Sequence, residues 1–232
     1  MKWFFIFCLL FFFYSCSNNT KTTAADNDTS VHISDKIKDS VLNNTNTSDT
    51  SQLIVPGERI GKVKLNEEVS SLEILGPPDI SDAAMGKAWL TWKGHRDEHN
   101  NTTELNVYTT YKDNTMREKT VQQIRTTSPS FSTGNNLHMY SSLEEIQQQF
   151  PLLKKTASYK EEGRDILLYD AAEKGIAFEI ATVDNQQICI GIIVHEPGKD
   201  VTQIYIMRHP GMKKSSAVLF TPLWKDQTHF YC

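Results

Sequence analysis

Long apolar runs are scarce in this chain of 232 residues, and positive charge is not in excess. The longest apolar stretch free of charge is Trp3 to Tyr14, about 18 Å of helix against a bilayer core of about 30 Å. That excludes a multi-span membrane protein. With 24 basic and 28 acidic side chains the formal charge is −4, so nothing supports a nucleic-acid binder working through bulk charge. Glycine and proline, at 11 and 8, are too few for a collagen, and 39% hydrophobic residues are too many for a wholly disordered chain. There is no Gly-x-Ser-x-Gly elbow and no phosphate-binding loop. No cofactor is expected, and no metal.

What is present is an export signal. Lys2 precedes the apolar run, which ends Phe13-Tyr14-Ser15-Cys16. A basic start followed by a short apolar segment reads as a secretory leader. A small residue directly before cysteine resembles the lipobox of bacterial lipoproteins, although Tyr14 is bulkier than the usual residue there. The resemblance implies cleavage after residue 15 and lipidation of Cys16. The aromatic-rich leader and Ser17-Asn18-Asn19 resemble lipoproteins of the Bacteroidota. The absence of acidic residues over Ser17 to Lys21 then implies a periplasm-facing anchor in the outer membrane rather than surface display. Several acyl chains hold a protein at the bilayer essentially permanently, at about 0.8 kcal/mol per buried CH₂.

Residues 16–51 continue from the lipidated cysteine mostly as Ser, Thr, Asn and Asp, with no aromatic side chain. Such a segment buries too little apolar surface to offset its ordering entropy and reads as a disordered tether, with an rms reach of roughly 30–35 Å. Within it, Asp39-Ser40-Val41 resembles the O-glycosylation signal of exported proteins in the same bacterial group, which marks Ser40.

Apolar patterning begins at Leu53 and defines a domain over residues 52–212, followed by a tail over 213–232. The run Asn66-Glu67-Glu68-Val69 to Leu75-Gly76-Pro77 predicts a short helix. Asn66 is its N-cap, the two glutamates sit in the first turn, and Gly76-Pro77 stops it. A second helix starts at Ser142, forms a capping box with Glu145 and ends at Pro151. Three strands are predicted after each helix: 87–93, 104–111 and 121–127, then 166–169, 176–180 and 188–194. The expected fold is α+β, with two loose helix-plus-antiparallel-meander repeats (about 52–130 and 131–212) forming one domain.

The segment Asn66–Asp79, with its Leu75-Gly76-Pro77-Pro78 step, is similar to the small outer-membrane assembly lipoproteins of the SmpA/OmlA (BamE) family. The doubled arrangement resembles the tandem repeat of the β-lactamase inhibitor protein. Phe150-Pro151 replaces Leu-Gly-x-Pro in the second half. Neither family is catalytic, so the resemblance implies a binding or scaffolding role and transfers no site residue.

Candidate functional residues are few. Trp89, Trp92, Tyr108 and Tyr111 fall on adjacent predicted strands, and Trp and Tyr are enriched at interfaces. The alternative is core packing, because Trp89 and Trp92 have opposite parity. His95 and His99 stand four apart, a spacing that holds zinc on a helix, but here Gly94 and Asn100-Asn101 flank them and a charged hairpin loop is expected. His195-Glu196 and His209 precede Pro-Gly turns. Cys189 and Cys232 could form a disulfide in an exported protein, or Cys189 could be a small apolar strand residue.

These readings converge on a non-enzymatic envelope lipoprotein, held to a membrane by its lipid, that binds an envelope protein through a sheet face. The alternatives are an inhibitor of a hydrolase and an envelope hydrolase without a linear motif. For the latter, a polar pocket joining His195 or His138 to a carboxylate would be the sign.

Overall fold

The computed structural model describes residues 50–215. Cys16, Ser40, Cys232, most of the expected tether and most of the expected tail lie outside them.

Thirteen strands form among the described residues. A small sheet holds β1 (Leu53–Val55), β2 (Arg59–Ile60), β3 (Val63–Lys64) and β8 (Ser132–Thr133). The large sheet holds β4 (Ile80–Ala84), β5 (Lys87–Arg96), β6 (Thr102–Tyr111), β7 (Lys119–Thr126), β9 (Lys154–Glu161), β10 (Arg164–Ala171), β11 (Ile176–Val183), β12 (Gln186–His195) and β13 (Lys213–Lys214). Its order is β13-β9-β10-β11-β12-β7-β6-β5-β4, antiparallel throughout. β12 hydrogen-bonds directly to β7, through Ile192↔Thr126 to His195↔Gln123.

The expected α+β class is therefore corrected: the described residues are mostly β. The reason is local. Asn66 does not cap a helix; it takes a positive φ of 63°. Its N–H donates to the Val121 carbonyl at 2.8 Å, and the Glu67 carbonyl accepts from Val121 N–H at 3.0 Å. With residues 66–67 pinned to β7, only a 3-10 segment of seven residues, Val69–Leu75, remains. The second helix, α1 (Leu143–Gln149), does carry the Ser142/Glu145 capping box but is also seven residues long. A third, α2 (Thr202–Tyr205), is a single turn. Pieces this short form no helical layer, and one continuous sheet replaces the expected pair of helix-plus-meander repeats.

Three tight turns shape the large sheet. Met85-Gly86, Glu162-Gly163 and Asp184-Asn185 each place two successive residues at positive φ, the type I′ pattern whose twist suits a hairpin.

Both sheet faces are covered. On one, Val107, Ile124, Phe178, Ile180 and Ile192 pack against Ile54 and Ile60 of the small sheet and Leu143 and Ile146 of α1. On the other, Trp89, Tyr108, Tyr159, Ile166 and Ile193 pack beneath Val201, Tyr205 and Met212. This second cover is anchored at its start. Asp170 accepts from Val201 N–H at 3.1 Å and lies 3.0 Å from His195 Nε2, all of it buried.

Candidate binding cleft

The second face carries a buried charge network. Arg125 on β7 meets Glu179 on β11 in a two-pronged pair, Nε to Oε1 at 2.9 Å and Nη2 to Oε2 at 2.7 Å. β12 runs between these strands. Gly191 on β12 makes the crossing possible, since a Cβ there would overlap the Glu179 carboxylate. The remaining acceptors and donors are placed as well. Arg125 Nη1 donates to Asn106 Oδ1 at 2.8 Å, and Asn106 Nδ2 donates to Thr91 Oγ1 at 2.9 Å. Tyr159 donates to Glu179 Oε1 at 2.9 Å, and the Tyr205 hydroxyl donates to the same oxygen.

Burial opposes charge on both partners, but each one's opposite charge outweighs it. The Glu179 carboxyl is held below the usual range by Arg125, and the Arg125 guanidinium is held protonated by Glu179. A charge-assisted, bidentate pair with its other groups satisfied is stable inside a protein, whereas either ion alone would not be. The neighbours respond. Burial and Glu179 push the Tyr159 hydroxyl up. Burial brings His209, stacked on Tyr159 at 4.0 Å, down to about 4.

A polar cleft of about 440 Å³ opens above this network. Arg125 reaches its floor, Arg208 and Glu104 one wall, and Arg96, Arg164 and Tyr140 the rim, with Glu161 beside them. Arg208 Nη2 donates to Glu104 at 3.2 Å. Burial, then Glu179, raises the Glu161 carboxyl. Tyr140 donates to Asp97, which also accepts from His99 N–H at 2.9 Å and Asn101 N–H at 2.8 Å. Burial and that bond push the Tyr140 hydroxyl up to about 12. Asp97 thus ties down the turn between β5 and β6, the charged loop that carries His99. Among the described residues no three His, Cys, Asp or Glu side chains come together as a metal site, and no helix is long and apolar enough to cross a membrane.

The sequence-derived candidates are dispersed. Trp89 and Tyr108 are interior, with ring centroids 5.3 Å apart under Tyr205 and Arg208. Trp92 packs on the opposite core and donates to the Gly76 carbonyl at 3.0 Å. Tyr111 lies against Gly86 with Lys119 over its ring. The four therefore do not share one exposed face. His195 does meet a carboxylate, Asp170, but the pair is buried and holds the start of the cover. His138 faces the Met139 carbonyl instead. Cys189 is buried, and burial pushes its thiol up to about 12. Arg125, Glu179 and Gly191 are not marked by any motif; the one local signal is Glu179, a charge between Phe178 and Ile180 in a largely apolar strand.

No family model matches the chain, and no curated protein matches it. Among solved structures it is similar to the uncharacterized protein YfeY from Escherichia coli, at 9% identity and a TM-score of 0.33, over 61% of this chain and 99% of that one.

Proposed function

We propose that the protein is a non-enzymatic envelope lipoprotein, anchored through Cys16, that binds a protein partner at the Arg-rich cleft rather than at the aromatic sheet face. The observation that carries the reading is the cleft's build. Its floor is fixed by a buried bidentate ion pair, while Arg96, Arg164 and Tyr140 stand at the rim. Arg and Tyr are the side chains that concentrate binding energy at interfaces, and a rigid floor lowers the ordering cost of association. Glu104, Glu161 and Glu162 among the arginines suit a partner that brings both signs of charge, with pairing that sets specificity.

The test is co-purification from native membranes with the lipidated chain, beside a Cys16→Ala control. Arg164 is exposed, with Glu162 as its ion-pair partner, so Arg164→Ala leaves the fold intact. The expected result is a stoichiometric envelope partner lost on Arg164→Ala and partly kept on Arg164→Lys, which retains charge but not the planar fork. A partner equally retained by Arg164→Ala, or turnover of a cell-wall substrate that depends on Glu161, overturns the reading.

A further inference from the structure

A second concavity lies on the other side of the sheet's β9 edge. It measures about 620 Å³; Phe150, Pro151, Leu152 and Ala171 give it an apolar lining, Lys154 and Thr156 stand at its β9 side, and charged residues from Glu173 to Asp200 complete it. Leu152 is 71% exposed there, an apolar side chain in contact with water beside an apolar hollow.

The chain itself runs toward this groove. β13 pairs antiparallel with β9, Lys213 opposite Ser158 and Lys214 opposite Ala157. Ser215 N–H donates to the Thr156 carbonyl at 2.7 Å, so Ser215 continues the same register. β9 goes on for two more residues, to Lys154, and there its outer edge pairs with no other strand among the described residues. Continued without a slip, this register would bring Ala217 opposite Lys154, the first residue of β9, and would carry Leu219 two residues beyond that end, alongside the turn at Pro151-Leu152. Leu219 is four residues past Ser215, about 13 Å of extended chain. Cross-strand partners point to the same side of a sheet, and alternate residues share a face. Lys154 and Thr156 line the groove, so Ala217 and Leu219 would share that side.

We propose that the groove is the seat of this chain's own segment Ala217-Val218-Leu219, added to β9 as a continuation of β13, with Leu219 covering Phe150 and Leu152. Strand addition to an open edge supplies main-chain hydrogen bonds, while the groove supplies side-chain selectivity. Because the segment is tethered a few residues away, its effective concentration at the groove exceeds that of a free competitor.

Disulfide trapping tests this in the full-length chain on a Cys232→Ser background. Leu219→Cys is combined with Leu152→Cys, and in a control with Met116→Cys, whose position is 68% exposed on the turn between β6 and β7. Under mild oxidation the first pair should lose both introduced thiols within one chain, with a mobility shift reversed by reductant, and the control pair should not. Independently, Leu219→Asp should raise binding of an apolar dye, and Leu152→Asp on top of it should remove the gain. Equal trapping in both pairs, or a disulfide-linked dimer in place of the intrachain product, overturns the proposal, the latter in favour of a second copy as occupant.

Discussion

Arg125 and Glu179 sit on strands separated by β12, and their ion pair passes over the backbone at Gly191. One residue without a side chain lets two charges meet inside the second core. Gly191→Ala should separate them. Pushing the carboxylate aside combines overpacking, about 1–3 kcal/mol, with damage to a buried pair worth about 3–5 kcal/mol when one partner is lost. Urea unfolding should show a midpoint lowered accordingly, while Gly211→Ala, where a Cβ meets nothing within 4 Å, should leave it near the wild-type value.

Acid should weaken the fold through the same carboxylate. Glu179 titrates below its ordinary value of 4.5 in the folded protein, so its stabilisation is complete above that value and is lost as pH falls through the depressed one. Glu179→Gln should be less stable at neutral pH and should show a flatter decline on the acid side. A wild-type acid limb in that variant would assign the loss to other groups.

Glu161 should behave in the opposite sense. Its folded-state titration is raised by burial and by Glu179. The neutral form therefore stabilises the fold below the ordinary value of 4.5, and that contribution is lost as pH rises through the folded value. Glu161→Gln should leave stability near pH 4 unchanged and increase it at pH 7, as read from the unfolding midpoint at each pH.

Trp89→Ala should act on stability, not selectively on binding. The ring is buried against Tyr108 and Tyr205, with Arg208 above it, and truncating a core aromatic residue costs about 3–5 kcal/mol. A variant with an unchanged thermal midpoint but lost partner binding would return Trp89 to the binding surface.

Cys189 should resist thiol reagents while the domain is folded. Its sulfur is buried in the first core and its thiol is pushed up to about 12, so the reactive thiolate is scarce. On a Cys232→Ser background, labelling of Cys189 should require urea. Rapid labelling in buffer would show that the β12 region opens locally.

Several local features were legible in the residues alone. Ser142 and Glu145 advertise their capping box because both partners lie within one turn. Asp184-Asn185 marks a hairpin because both residues tolerate positive φ. Alternating apolar residues marked β6 and β12. Other strands were not visible. β4 is exposed along its whole length and β9 is largely polar, so neither shows the pattern that burial of one face imposes. Asn66 carried a genuine capping signal, yet a bond to Val121, 55 positions away, used its backbone otherwise.

The sequence by itself determined the tight turns and the Ser142/Glu145 capping box, which depend on neighbouring residues. Tertiary structure alone decided that the described residues are mostly β, that Trp89 and Tyr108 face inward, and that Arg125 finds Glu179 across Gly191. Those outcomes depend on which strands become neighbours in the sheet, and pairing between β7 and β12 joins residues about 70 positions apart. Local propensity carries no record of such a pairing.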